Sequence, residues 1–237
     1  MGDRNMLLWL EAPLQSWGHD SRFGRRDTLD FPTRSGVTGL ICCALGAAGE
    51  QHELLSRLAS SDMRVEAYPR ADEQGRPLPR PPLLRDFHMV GSGYDASDPW
   101  ESLLIPKKAD GTASSTAIKM TYRYAIQDMA FAVVLGLPDD LAETIAKALV
   151  EPRWDVFLGR KSFVPTEMIF QGIHATHDEA LSAARELASA KGRAPAFRVL
   201  EGEHEGDEVM TLNDVPVQFG EDKRYRDRRV TVQWMME

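Results

Sequence analysis

Apolar and polar positions alternate along this chain in patterns that divide it into strands and helices. Met6 to Glu11 (MLLWLE) is a short apolar run that reads as a central strand. In Asp30 to Gly46 (DFPTRSGVTGLICCALG), Val37, Leu40, Ile41, Ala44 and Leu45 fall at helical spacing on one face, and Thr33 stands where its side chain can cap the first turn. A second helix is expected over Gln51 to Ala59, with Leu54, Leu55 and Leu58 together, and a strand over Met63 to Tyr68. Order returns with Met120 to Tyr124, and the dense apolar run Met129 to Leu137 predicts another central strand. Pro138-Asp139-Asp140 then opens a helix with Leu141, Ile145 and Leu149 in register, which Pro152 must end. Thr176 to Glu179 (THDE) has the form of a capping box at the head of a helix running through Leu187. Beyond Gly192, the runs Ala196 to Leu200, Glu208 to Leu212, Val215 to Phe219 and Arg229 to Trp234 predict a small antiparallel element, with Lys223 to Arg229 as its basic edge.

Strand, helix, strand is the opening of a ferredoxin-like or RNA-recognition-motif fold, and a doubly wound sheet begins the same way. The segment between His88 and Lys119 interrupts this order. It is rich in Gly, Ser and Asp and has no period long enough to bury a core, which marks either a functional insertion or a solvated one. Such a segment cannot offset its own ordering entropy, so it is expected to be mobile until a partner covers it.

At 237 residues the chain can hold one large or two small domains. The net charge of -8 excludes a uniformly basic nucleic-acid binder, because neutralising phosphates takes Lys and Arg. The distribution is uneven: acids gather at Asp139 to Glu143, Asp178 to Glu186 and Glu201 to Glu208, while Arg22, Arg25, Arg26 and Arg34 cluster early. Cys42 and Cys43 are adjacent on a helix, where a mutual disulfide would be strained, so reduced thiols and a cytoplasmic setting are expected. No apolar run reaches the roughly 18 residues of a membrane span, and no signal peptide is read at the start.

Candidate anion contacts lie in four places. Arg34, Ser35 and Gly36 sit at a helix N-terminus, where free amides and the dipole favour an anion; Gly36 and Gly39 could admit a phosphodiester backbone or simply let the helix pack closely. On this reading, Arg34→Glu should weaken phosphate binding and leave the fold intact. The loop Pro13 to Pro32 combines Trp17-Gly18 with Arg22, Phe23, Arg25 and Arg26, suited to stacking on bases, or equally to a surface loop pinned by one buried tryptophan. Lys107 and Lys108 precede an Asp-Gly turn. Arg153, Trp154, Gly159, Arg160 and Lys161 (in RWDVFLGRK) form a basic turn that would either cradle phosphate or expose its arginines to solvent.

Catalytic signatures are sparse. His174-x-x-His177 straddles a helix start with nothing to complete a metal set, and there is no nucleophile elbow, P-loop, CxxC or dinucleotide fingerprint. No metal or cofactor is therefore expected. A metal-free ribonuclease needs only a general base and a cation, roles that His88 with Arg85 or Lys119 could fill.

APLQSWG (12–18), DFPTRSGVTGL (30–40), LLRDFHMV (83–90), EPRWDVFLGRKSFVPT (151–166) and KRYRDRRV (223–230) together resemble the CasD subunits of type I-E CRISPR Cascade complexes, in order along nearly the whole chain. The resemblance implies a RAMP-superfamily protein of α+β class: a ferredoxin-like (RRM-like) palm in two parts, 1–79 and 128–237, an inserted thumb over 80–127, and the C-terminal β element. It implies a non-catalytic subunit that holds the 5′ handle of the crRNA and caps the backbone filament. The CasC backbone subunit and the CasA large subunit would be its neighbours, and target DNA would be met only through the assembled complex. By the same resemblance Trp17 and Gly18 lie beside the handle, Arg34, Ser35 and Gly36 grip phosphate, Arg123 stands where the thumb returns to the palm, and Gly159, Arg160 and Lys161 form a glycine loop. The alternative is cleavage of precursor crRNA, as in type I-C relatives, although type I-E systems use a separate endonuclease, CasE. The thumb departs from the family pattern in its Gly111 to Ser115 tract, which leaves open which thumb residues touch RNA.

Overall fold

A computed structural model describes residues 4–19, 21, 24–90, 97–100, 107–108, 110–112 and 119–235. Along the chain run β1 (Arg4–Gln15), β2 (Arg25–Arg26), α1 (Arg34–Leu45), α2 (His52–Ala59), β3 (Met63–Tyr68), β4 (Leu84–Val90), β5 (Lys119–Leu137), α3 (Asp139–Val150), β6 (Phe170–His174), α4 (His177–Ala190), β7 (Phe197–Glu201), β8 (Glu208–Gln218) and β9 (Arg224–Trp234). The main sheet has the order β6-β1-β5-β3-β7-β9-β8, every neighbouring pair antiparallel.

Alternation along the central strands sorts side chains to two faces. Met6, Leu8 and Leu10 of β1, Phe131 and Val133 of β5 and Val65 of β3 face α1, α2 and α3. Leu7 and Trp9, with Ala130, Ala132 and Val134, face α4, which fills the narrower space with Ala180, Ala184 and Ala188. Both faces are covered, which is why MLLWLE and MAFAVVLGL read as continuous apolar runs. Helix α1 buries Val37, Leu40 and Ile41, contributing roughly 1.5 to 3 kcal/mol each over exposure. Its ends follow the sequence reading: the Thr33 hydroxyl accepts from the Gly36 amide at 3.2 Å, and Gly46 closes the helix at φ 69°. The capping box of α4 also forms, between Thr176 and Glu179.

Three expectations change. Met120 to Tyr124 and Met129 to Leu137 belong to one strand, β5, whose 19 residues carry about 60 Å of chain; its inner half sits in the sheet and its outer half pairs with β4, a strand the periodicity did not reveal. Asp128 bridges the halves in a left-handed conformation, φ 46°. The C-terminal strands do not stand apart, since β7 pairs with β3 and Val230 and Val232 enter the common core. Glu208 to Leu212 and Val215 to Phe219 are joined in β8 through register shifts, which hide a continuous strand from a period-two reading. Most of the segment expected to be mobile, 88–119, lies outside the described residues.

Candidate nucleic-acid interface

Beyond the sheet, β4 and the outer half of β5 form an antiparallel ribbon, with β2 paired parallel to β5 on its other edge. Cross-strand neighbours share a face, so Arg85 with Tyr124, Phe87 with Tyr122 and Met89 with Met120 lie on one side. That side is open: Phe87 is 50% exposed, Met89 53%, Met120 55% and Tyr122 41%. Phe87 and Tyr122 hold their rings 5.2 Å apart. Guanidinium groups lie over the same aromatics, Arg85 at 5.7 Å from the Tyr122 ring centre and Arg25 at 5.1 Å from that of Tyr124. Exposed aromatics beside cations offer stacking surface and phosphate neutralisation in one place.

The opposite side pairs Asp86 with Arg123 and His88 with Thr121. His88 Nε2 meets Asp86 Oδ2 at 2.5 Å. Arg85 and His88, three residues apart on one strand, project to opposite sides, so these two do not form the base and cation pair that the ribonuclease reading uses. The side chain of Lys119 lies outside the described set.

The loop after α3 connects this ribbon to α1. The Arg153 amide donates to Ala44 O at 2.8 Å near the helix C-terminus, and the Cys43 thiol donates to Asp155 O at 3.3 Å. Further on, the Ser16 amide donates to Leu158 O at 3.1 Å. Gly159 then passes so close that a Cβ there would stand 1.8 Å from Ser16 O, and its φ of 97° is itself a glycine conformation. Arg160 follows, donating to Tyr124 O at 3.0 Å at the base of the ribbon. Burial and then the charge of Arg123 lower the Arg160 pKa from its ordinary value, against the pull of Asp86. Lys161, next in the chain, is exposed.

Several sequence candidates are placed differently from expectation. Arg34 is 2% exposed and engaged through both terminal nitrogens: its guanidinium donates to Leu58 O and Ser61 O, each at 2.9 Å, and to Glu201 Oε1 at 2.6 Å. It is a core cation and has no reach to a phosphate. Trp17 is likewise buried, at 1% exposure, donating its indole N–H to Gln15 Oε1, so it pins the loop and cannot stack on a base. Gly36 is small because of that tryptophan: a Cβ would lie 2.7 Å from the Trp17 ring, leaving no room for a phosphodiester. Ser35 stays half-exposed, Gly18 and Arg153 are exposed, and Lys107 and Lys108 are exposed on a separate turn closed by the Lys108 amide and Thr112 O at 2.8 Å. Arg22 lies outside the described residues. The structure therefore brings Arg85 and Arg25 together with Phe87, Tyr122 and Tyr124 on one side of the ribbon, with Arg123 on the other and Gly159, Arg160 and Lys161 at its base. The strand partners of β4 and β2 lie far along the chain, and only the RDF and TYRY alternation hinted at them.

Two ion clusters hold this surface in place. Under α1, Arg34 and Arg228 share Glu201, and Asp214 accepts from Arg228 at 2.7 Å and from the Arg34 amide at 2.7 Å, occupying the helix N-terminus that sequence reading assigned to an anion. Where β5 bends, Arg193 donates to Glu11 at 3.0 Å and to Asp128 at 2.8 Å. Among the described residues no three of His, Cys, Asp and Glu converge as metal ligands, and no helix is long and apolar enough to cross a membrane.

The family model described as CRISPR-associated protein (Cas_Cas5) matches residues 6–231. The chain belongs to the CRISPR-associated Cas5 family. Within it, the chain is similar to the CRISPR system Cascade subunit CasD of Escherichia coli (strain K12), 32% identical over 173 residues, which cover 70% of each protein. A solved chain of a CRISPR RNA-guided surveillance complex superposes with a TM-score of 0.72 at 29% identity, covering 97% of this chain and 89% of that one. Another, from the crystal structure of a Cas protein, gives 0.62 at 27% identity, with 98% and 94% covered. Both solved chains share this architecture over nearly the whole length of this one.

Proposed function

We propose that this Cas5-family chain is a non-catalytic crRNA-binding subunit of a type I-E Cascade complex, holding the 5′ handle of the guide and capping the backbone filament beside the CasC-type and CasA-type subunits. The observation that carries the reading is the β4–β5 ribbon of an otherwise acidic protein: exposed aromatic rings with Arg25 and Arg85 over them on one side, Arg123 on the other, and Arg160 of the Gly159 loop at its base. Acidic surroundings repel stray nucleic acid, while this ribbon attracts it. In the strand order β6-β1-β5-β3 we read a ferredoxin-like palm, with the ribbon as the thumb set into it.

The test uses the full chain and labelled precursor repeat RNA in EDTA. Binding should weaken as salt rises, and the double variant Arg123→Ala with Arg160→Ala should reduce the slope of log K against log salt by about 1.4, two single-strand phosphate contacts. An unchanged slope would place RNA elsewhere. Cleavage of the RNA, lost in His88→Ala, would establish the ribonuclease reading, for which the His88–Asp86 pair beside Arg123 is the structural basis.

A further inference from the structure

The outward side of α1 carries Ser35, Gly39 and Cys43 one turn apart, and a groove of about 320 Å³ runs over them. Its floor is nearly bare: a Cβ built on Gly39 meets nothing within 4 Å. Trp154, Phe219 and Tyr225 bring aromatic rings to its lining, and Lys223 brings a cation. Trp154 is 46% exposed, and Cys43 holds the backbone of its loop against the helix.

From this geometry we infer that the groove is a subsite for one unstacked nucleotide of the bound RNA, its base lying against Trp154 and Tyr225 and its phosphate at Lys223. Three features favour this occupant. The volume is at the small end of ligand pockets, enough for a base and ribose and too little for a helix of a partner protein. Lys223 is the one charged residue among the described residues that line the groove, and it is exposed. The groove also leads to the interface described above, because the loop that supplies Trp154 continues along α1 to Gly159 and Arg160. An RNA strand leaving the ribbon would follow that loop over about 18 Å of helix. A bare floor lets a flat base approach the helix, as a side chain at Gly39 would not. The inference rests on the RNA-binding reading and adds a site to it.

The test separates the two. In full-length protein, Gly39→Leu fills the groove where there is open space and replaces a poor helix former by a good one, so its thermal midpoint should equal or exceed that of the parent. With labelled precursor repeat RNA, Gly39→Leu and Trp154→Ala should each bind roughly five- to a hundredfold more weakly, the loss of one base–aromatic stack. RNA should also protect Cys43 from N-ethylmaleimide, with buried Cys42 as the internal reference. Parent-like binding by both variants together with unprotected Cys43 would overturn the subsite and leave the ribbon reading standing. Failure of the parent itself to bind RNA would overturn both. Assembly lost in Gly39→Leu with RNA affinity unchanged would assign the groove to a protein neighbour and refute the nucleotide.

Discussion

Arg34 offers the sharpest test of the structure, because the sequence places it at an anion-binding helix end and the fold places it in a buried ion cluster. The cluster comprises Arg34, Arg228, Asp214 and Glu201, two charges of each sign; Arg34, Arg228 and Asp214 are each under a tenth exposed. Removing Arg34 leaves two carboxylates to share one guanidinium. Breaking a buried pair in this way costs about 3 to 5 kcal/mol. The carbonyl of Ser61 also loses its donor, a further roughly 1 kcal/mol, whereas Leu58 O keeps the Ser61 hydroxyl at 2.7 Å. Against a total stability of about 5 to 15 kcal/mol, Arg34→Ala should lower the thermal midpoint by roughly 8 to 20 °C. Arg34→Glu, which places a third carboxylate in the cluster, should do worse. The assay is urea unfolding followed by tryptophan fluorescence, with RNA affinity measured separately on the fraction that remains folded. If Arg34→Ala unfolded at the parent's urea midpoint but bound RNA tenfold more weakly, the cluster would be refuted and the helix-end reading restored.

Two further perturbations probe the scaffold beneath the interface. Burial raises the Glu11 and Asp128 carboxyls, but hydrogen bonds and charges from Trp9 and Arg193 on the first, and from Arg70 and Arg193 on the second, bring each below its ordinary value, 4.5 and 3.8. A carboxyl held low when folded adds stability that is full above its ordinary pKa and is lost as pH falls through the lowered one; the thermal midpoint should therefore drop below pH 4.5. Glu11→Gln should cost roughly 3 kcal/mol at neutral pH and flatten that acid limb, and parallel curves for the two proteins would disprove the coupling. Gly159→Ala must relieve a 1.8 Å approach to Ser16 O at φ 97°, so it should push the loop outward at a cost above about 1 to 3 kcal/mol, seen as new protease cleavage between Trp154 and Lys161; parent-like resistance would mean the loop does not lie against β1.

Local signals settle much of this protein. The helical spacing from Val37 to Leu45, the Thr33 cap, the Thr176 to Glu179 box and the apolar runs of the central strands are each decided by neighbours within a few residues, and they appear in the structure close to where they were read. The glycine loop and the basic motifs were also visible, because their residue types are unusual in combination. What depended on tertiary structure was the use to which each cation is put. Arg34 and Arg160 look alike in sequence, each next to a glycine-bearing turn, yet one is neutralised by Glu201 from 167 residues away and the other is set beside Arg123 at the base of the ribbon. Trp17 and Trp154 differ in the same way: one is buried against Gly36 and the other stands free over Gly39. Whether a charge or a ring meets solvent, and so a ligand, depends on which distant strand the fold brings against it. That pairing is set by burial summed over the whole sheet and leaves no mark on the residue itself.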